Sequence, residues 1–247
     1  MTGRRVRAAL LALPALAGIG GFCALGVWQI ERRAWKHALI AQVEARIHAA
    51  PVAAPEAAGA EDAYRHVRVT GHFLNRRETL VQAVTDRGRG FWVVTPLVTE
   101  DGRTILVNRG FVPPARRAPD SRAEGRPTGV ATVTGLLRPT EPGGGFLRSN
   151  DPGADRWYSR DVDAIAAARG LIAAPYFIDA DATPNAGGWP IGGLTVVRFR
   201  DSHLIYALTW FALAAMLAGW VGYALYATGR LRADPAEAEE AETEARC

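Results

Sequence analysis

Cysteine is nearly absent from this chain: two occur among 247 residues, Cys23 inside an apolar run and Cys247 at the end. Two so placed offer no disulfide framework and no cysteine metal site. The stretch between the apolar runs has none to serve as a nucleophile. Other catalytic signatures are missing as well. No Gly-x-Ser-x-Gly elbow or His-Glu-x-x-His pair occurs, and the glycines of EPGGGFLRSND lead to no Gly-Lys-Ser/Thr. That stretch reads as a flexible turn. His37, His48, His66, His72 and His203 show no metal-ligand spacing, and Asp179 and Asp181 read as strand-end side chains facing water. A membrane-tethered hydrolase has no nucleophile–base pair to work with, so a non-enzyme is expected.

Charge is the second absence. From Leu204 to Ala227 no side chain is charged, and no polar face is left for a soluble helix. The run exceeds the roughly 20 residues a helix needs to cross a bilayer, so residues 203–227 are expected to span, with His203 at the threshold. Residues 8–30, AALLALPALAGIGGFCALGVWQI, form a second apolar run after three arginines. A signal peptide has a shorter apolar region, about 7–15 residues, and a small-residue cleavage site. This run closes instead on Trp28-Gln29, and Phe22 before Cys23 argues against a lipoprotein box. An uncleaved anchor is expected. Two spans put both termini on one side. Arg4, Arg5 and Arg7 with Arg230 and Arg232 balance Arg32, Arg33 and Lys36 with Arg198 and Arg200, so charge does not orient the chain.

The formal charge of +4 hides a split: the tail from Ala233 carries six acids against Arg246, which leaves about +9 on the rest. Such an acidic, alanine-rich tail (residues 228–247) is expected to be disordered. A basic body beside a membrane points first to anionic lipid headgroups; nucleic acid is not expected as a partner. Residues 31–63 read as a helical stalk followed by a Pro/Ala linker. Over residues 64–202 the period becomes two. YRHVRVTGHFL, ETLVQAV, GFWVVTPLV, RTILVNRGFV, GVATVTGLL, DRWYSR, PYFIDAD and LTVVRF read as strands. TEDGR, with Asp101-Gly102, is a hairpin turn. DVDAIAAARG is a short helix with Asp161 as its N-cap and Gly170 as its stop. The fold expected is an antiparallel β-rich, barrel-like α+β domain flanked by two transmembrane helices, because closure removes exposed strand edges.

The chemistry-bearing residues converge at the membrane surface. Antiparallel spans bring Trp28 and Gln29 to the same leaflet as His203. Small residues four apart favour such pairing: Ala17 and Gly21 on one helix, Ala214, Ala218 and Gly222 on the other. His203, Tyr206, Ala207 and Trp210 share one helix face. An imidazole, two flat aromatics and a small residue suit a planar macrocycle, and neutral histidine is a usual haem ligand. Arg198 and Arg200 are placed to pair with propionates. The plainer reading is an aromatic belt with a histidine facing headgroups.

LGVWQIERRAWK, YRHVRVTGHF, ILVNRGFVP, GLLRP, NDPGADRWYSRDV and SHLIYALTWFALA occur in that order from about Gly26 to about Tyr223. They closely resemble the motifs of the surfeit locus protein 1 family, cytochrome c oxidase assembly factors. The resemblance implies a multi-pass protein of the bacterial inner membrane, or less directly the mitochondrial one, with termini in the cytoplasm and residues 64–202 periplasmic. It implies transient haem a binding, aid in haem insertion or retention in oxidase subunit I, and haem a synthase as a further partner. The family's proposed haem-iron ligand maps onto His203; Phe111 and Phe211 stand where Trp and Tyr are common. A scaffold that stabilises an oxidase subunit without binding haem is the alternative. Arg109 in VNRG is expected to hold a buried carboxylate such as Asp161 or to face a partner. Asn150, Trp157, Tyr158 and Arg160 are expected to shape loops facing the membrane.

Overall fold

Period-two alternation between residues 64 and 139 becomes strands in the computed structural model, which describes residues 2–145, 147–195 and 201–244. The chain divides into two compact units: a helix pair within residues 1–40 and 199–247, and a β-rich unit within residues 41–198.

Among the described residues, seven strands build the second unit: β1 (Val52–Ala53), β2 (His66–Phe73), β3 (Thr79–Thr85), β4 (Gly88–Thr99), β5 (Thr104–Val112), β6 (Val130–Pro139) and β7 (Tyr176–Ala180). Their order is β1-β2-β6-β7-β5-β4-β3, and β2 also pairs with β4, so five strands close into a ring. The sheet is mixed, because β1 runs parallel to β2 and β5 parallel to β7. Closure depends on Gly71, which faces Thr99 across the β2–β4 pair. A Cβ there would collide with the Val98 carbonyl oxygen, so only glycine lets the two backbones meet.

Strand parity sorts the side chains. Val67, Val69, Leu97, Ile105, Val107, Val133, Leu137, Tyr176 and Ile178 form one buried cluster. The intervening positions Val81, Val94, Leu106 and Phe177 form a second with Trp157, Val162 and Ile165. Helix α2 (Val162–Ala168) supplies Val162 and Ile165 to that second cluster. It starts where Asp161 Oδ1 accepts from the Ala164 N–H at 3.2 Å, and Gly170 follows it with φ 63°. The TEDGR hairpin joins β4 to β5, with Gly102 at φ 84°.

Three expectations for this unit change. DRWYSR is not a strand: Trp157 makes one isolated bridge to Val81 and buries its ring, while Asn150 Oδ1 accepts from the Tyr158 and Ser159 N–H groups at 2.8 and 3.2 Å. A side chain has taken the bonds a neighbouring strand would have supplied. The Pro/Ala linker contributes β1, and its Pro55 carbonyl accepts a 2.6 Å bond from the Tyr176 hydroxyl. Asp179 does not face water. It is buried among Asn108, Arg138 and Arg160 at 2.7, 3.0 and 2.8 Å, and Arg160 also grips Glu141 at 2.6 and 2.9 Å. Burial opposes the Arg160 charge, but Asp179 and Glu141 outweigh it and raise its pKa. LTVVRF lies mostly outside the described residues.

The first unit contains α1 (Thr2–Ile47) up to residue 40 and α3 (His203–Glu244). Within them Leu13–Ile47 and His203–Ala227 are long and apolar enough to cross a membrane. Leu16, Leu208, Met216 and Trp220 are exposed, as lipid permits and water penalises. The backbone of α3 remains helical through the acidic segment to Glu244, where disorder was expected; alanine, glutamate and arginine are strong helix formers.

Candidate functional site: the loop-side end of the helix pair

Helices α1 and α3 run antiparallel along a seam of small and aromatic residues. Phe22 stacks on Trp210 with ring centroids 5.7 Å apart and planes 23° from parallel. Gly26 is buried, and a Cβ built on it would stand 2.7 Å from the Phe211 ring. Two turns further, a Cβ on Gly18 would meet Leu217 Cδ2 at 3.1 Å. Ala207 and Ala214 on α3 are only 2% and 5% exposed. The seam therefore uses Gly18, Phe22 and Gly26 against Ala207, Trp210, Ala214 and Leu217, at the spacing of one helix face. Of the small residues expected there, Ala214 belongs, whereas Ala17, Gly21, Ala218 and Gly222 are exposed. The register moves by one residue because Phe211 needs the space that only Gly26 leaves.

At the end of this seam the helices become polar. Gln29, Arg33 and His37 rise in four-residue steps on α1, opposite Asp201 and His203. Asp201 accepts from His37 Nε2 at 2.6 Å and Arg33 Nε at 3.2 Å, and its other oxygen accepts from the His203 backbone N–H at 3.1 Å. A carboxylate at the start of α3 faces the positive end of the helix dipole. The His37 bond, followed by those from His203 and Arg33, holds the Asp201 carboxyl at about 2, below its ordinary 3.8.

His203 is fixed from the other helix. Its Nδ1 lies 2.7 Å from Gln29 Oε1. An amide carbonyl oxygen can only accept, so Nδ1 carries the proton. In the neutral ring Nε2 is left with its lone pair. Metal-binding histidines are oriented in this way, with one nitrogen donating to an oxygen while the other coordinates.

Gln29, His203 and Trp210 thus come together on the seam. Tyr206 and Trp28 do not: they are 54% and 52% exposed, directed away from the partner helix as belt aromatics are. Arg198 and Arg200 lie outside the described residues. Arg33, His37 and Asp201 were missed in the sequence. Their signal was the four-residue step from Gln29 and an acid two residues before His203.

The remaining motif residues belong to the β-rich unit. Arg109 does not reach Asp161, which is occupied as the α2 cap. It is 3% exposed and donates through Nη2 to the Gly125 carbonyl and to Asn185 Oδ1. Asn150, Trp157 and Arg160 bond and pack within their own unit.

Comparison with known proteins agrees with these landmarks. The sequence profile of the SURF1 family matches residues 16–215, from the first apolar helix into the second. Surfeit locus protein 1 of Mus musculus is 42% identical over 226 residues, 83% of this chain and 71% of the mouse protein. The Homo sapiens protein is 40% identical over 212 residues, 77% of this chain and 69% of its own length. A SURF1-like protein of Monosiga brevicollis is 40% identical over 214 residues, 80% and 81% of the two chains. With two thirds or more of each relative covered, and the ring and parts of both helices inside the match, this chain belongs to the SURF1 family.

Proposed function

We propose that this chain is a non-enzymatic haem a-binding assembly factor for an aa3-type haem–copper cytochrome c oxidase, aiding insertion or retention of haem in oxidase subunit I. Family membership and two membrane-competent helices support the reading. The observation that carries it is the 2.7 Å contact of His203 Nδ1 with Gln29 Oε1, which leaves Nε2 able to coordinate iron. The bound haem supplies a redox-active iron. His203 Nε2 would hold that iron, Gln29 would orient the ring, and Trp210 would contribute a flat apolar wall. We place the protein in the bacterial inner membrane, with residues 64–202 periplasmic and anionic lipids and haem a synthase as further partners.

The test is an absorption spectrum of the protein purified from cells that make haem a. The wild type is expected to show a Soret band, and His203→Ala to lose it while accumulating normally. Gln29→Leu is expected to weaken haem retention by roughly 10–100-fold, the usual cost of losing an outer-shell partner. Normal haem content in His203→Ala would overturn the ligand assignment. For topology, a phosphatase reporter is expected to be active near Ala57 and inactive after Arg232; the reverse pattern would overturn the orientation.

A second reading is a scaffold that stabilises the oxidase subunit without binding haem. The outward exposure of Trp28 and Tyr206 favours it, because both serve as interface anchors and not as walls of a macrocycle site. A wild-type protein that supports oxidase assembly yet never shows a Soret band would establish it.

A further inference from the structure

The glycine-rich stretch EPGGGFLRSND, expected as a flexible turn, is pinned to its own unit and borders a groove. The Gly143 N–H donates to Asp161 Oδ2 at 3.3 Å, and the Gly144 N–H to Ser159 Oγ at 3.0 Å. Asn150 Nδ2 donates to the same hydroxyl at 3.0 Å. Gly145 and Arg148 then close a tight turn through their backbones, at 2.8 and 3.1 Å. Inside that turn Leu147 has φ 57° and is 88% exposed. The left-handed region is unusual for so bulky a residue, and water penalises its side chain.

Gly145 and Arg148 line a groove of about 600 Å³. Its floor is the face of the β3–β4 hairpin opposite buried Val81, where Gln82 sits across from Phe91 and Val84 across from Arg89. Tyr158 and Pro114 add to its lining. Val84 is 81% exposed, so two large apolar side chains stand open beside one groove.

The charge here has one sign. Arg89 and Arg148 line the groove, and no acid is found among the described residues that do. Arg117 lies 5.2 Å from the centre of the Phe91 ring. Arg148 rests 5.4 Å from the centre of the Tyr158 ring and donates to the neutral Gln82 Oε1 at 3.4 Å. All three arginines are exposed, and among the described residues no carboxylate bonds to any of them. Elsewhere in this unit Arg103, Arg122, Arg138, Arg156, Arg160 and Arg169 each hold a carboxylate.

We propose that this groove docks an extended acidic segment of a partner protein, its carboxylates on Arg89 and Arg148 and an apolar side chain against Val84 and Phe91. The planar fork of a guanidinium matches a carboxylate, and stacking on Phe91 and Tyr158 holds two of these forks in place. A concave site suits an inserted segment better than the surface of a bilayer.

The test uses the full chain in maltoside micelles and a fluorescein-labelled nonapeptide, a central leucine among alternating serines and glutamates, read by anisotropy. Binding is expected at low salt and is expected to disappear when glutamine replaces glutamate. The double variant Arg89→Gln, Arg148→Gln is expected to weaken binding about tenfold. Arg76→Gln, at an exposed arginine outside the groove, is expected to change nothing. Leu147→Gly guards against a folding defect, since glycine accepts φ 57°. It is expected to melt no lower than the wild type, yet to bind about threefold more weakly. No binding of the glutamate peptide, equal binding of the glutamine peptide, or an unchanged double variant would overturn the proposal. So would an equal loss in Arg76→Gln, which reports general charge, or displacement by equimolar phosphatidylglycerol, which assigns the face to lipid.

Discussion

The β-ring and the helix pair treat polarity in opposite ways. In the ring, Asp179 is buried with Asn108, Arg138 and Arg160, and the two arginines are bonded in turn to Glu141. Charge is enclosed and largely neutralised there, so removing one member leaves the others stranded in a poorly solvated interior. In the helix pair, polar groups gather at one end and stay partly exposed, while the seam below consists of small and aromatic side chains in contact. Such contacts hold by shape, and each contributes little. The ring is thus built to keep one geometry, and the helix end to keep a few donors and acceptors near the surface.

The largest test of this contrast is Asp179→Ala, which leaves Arg138 and Arg160 to share Glu141. It is expected to cost about 3–5 kcal/mol in denaturant unfolding of the ring. A loss below about 1 kcal/mol, the scale of an exposed pair, would show that the network is solvated. Ile165→Ala, under α2, is expected to cost about 2–5 kcal/mol by opening a cavity in the second cluster. In the helix pair the expected effects are smaller. Gly26→Leu forces its side chain into Phe211 and is expected to weaken helix association by about 1–2 kcal/mol, whereas Gly222→Leu, with open space around it, is expected to do nothing. Cysteine cross-linking yields between α1 and α3 would report both, and equal yields would place the seam elsewhere.

The smallest effect concerns Tyr176, whose hydroxyl donates to the Pro55 carbonyl. Tyr176→Phe is expected to cost about 1 kcal/mol near neutrality. It also changes the alkaline limb. Burial raises the Tyr176 phenol from 10.0 to about 12, so the folded state holds the proton more tightly than the unfolded chain. That contribution is complete below pH 10 and is lost as pH rises through about 12. Urea titrations between these limits are expected to show a shallower decline in the phenylalanine variant; parallel curves would mean that the phenol is hydrated.

What the sequence determined by itself is local. The uncharged run after His203 specified a span, alternation specified β2 through β7, and Asp161 and Gly170 specified the ends of α2, because each depends on neighbours within a few residues. The antiparallel meeting of Gln29 with His203 was legible too, since two spans joined by a domain leave no other arrangement of their loop-side ends. The identity of the partners was not. Nothing near Asp179 in the sequence says that Arg138, Arg160 and Asn108 will surround it, and nothing near Arg109 says that it will miss Asp161 and keep a nitrogen unpaired. The seam register turned on Phe211 crossing Gly26, and ring closure on Gly71 meeting Val98. Each of these is a steric or electrostatic match between residues far apart in the chain. Only packing decides such a match, because it selects among pairings whose local energies are nearly equal.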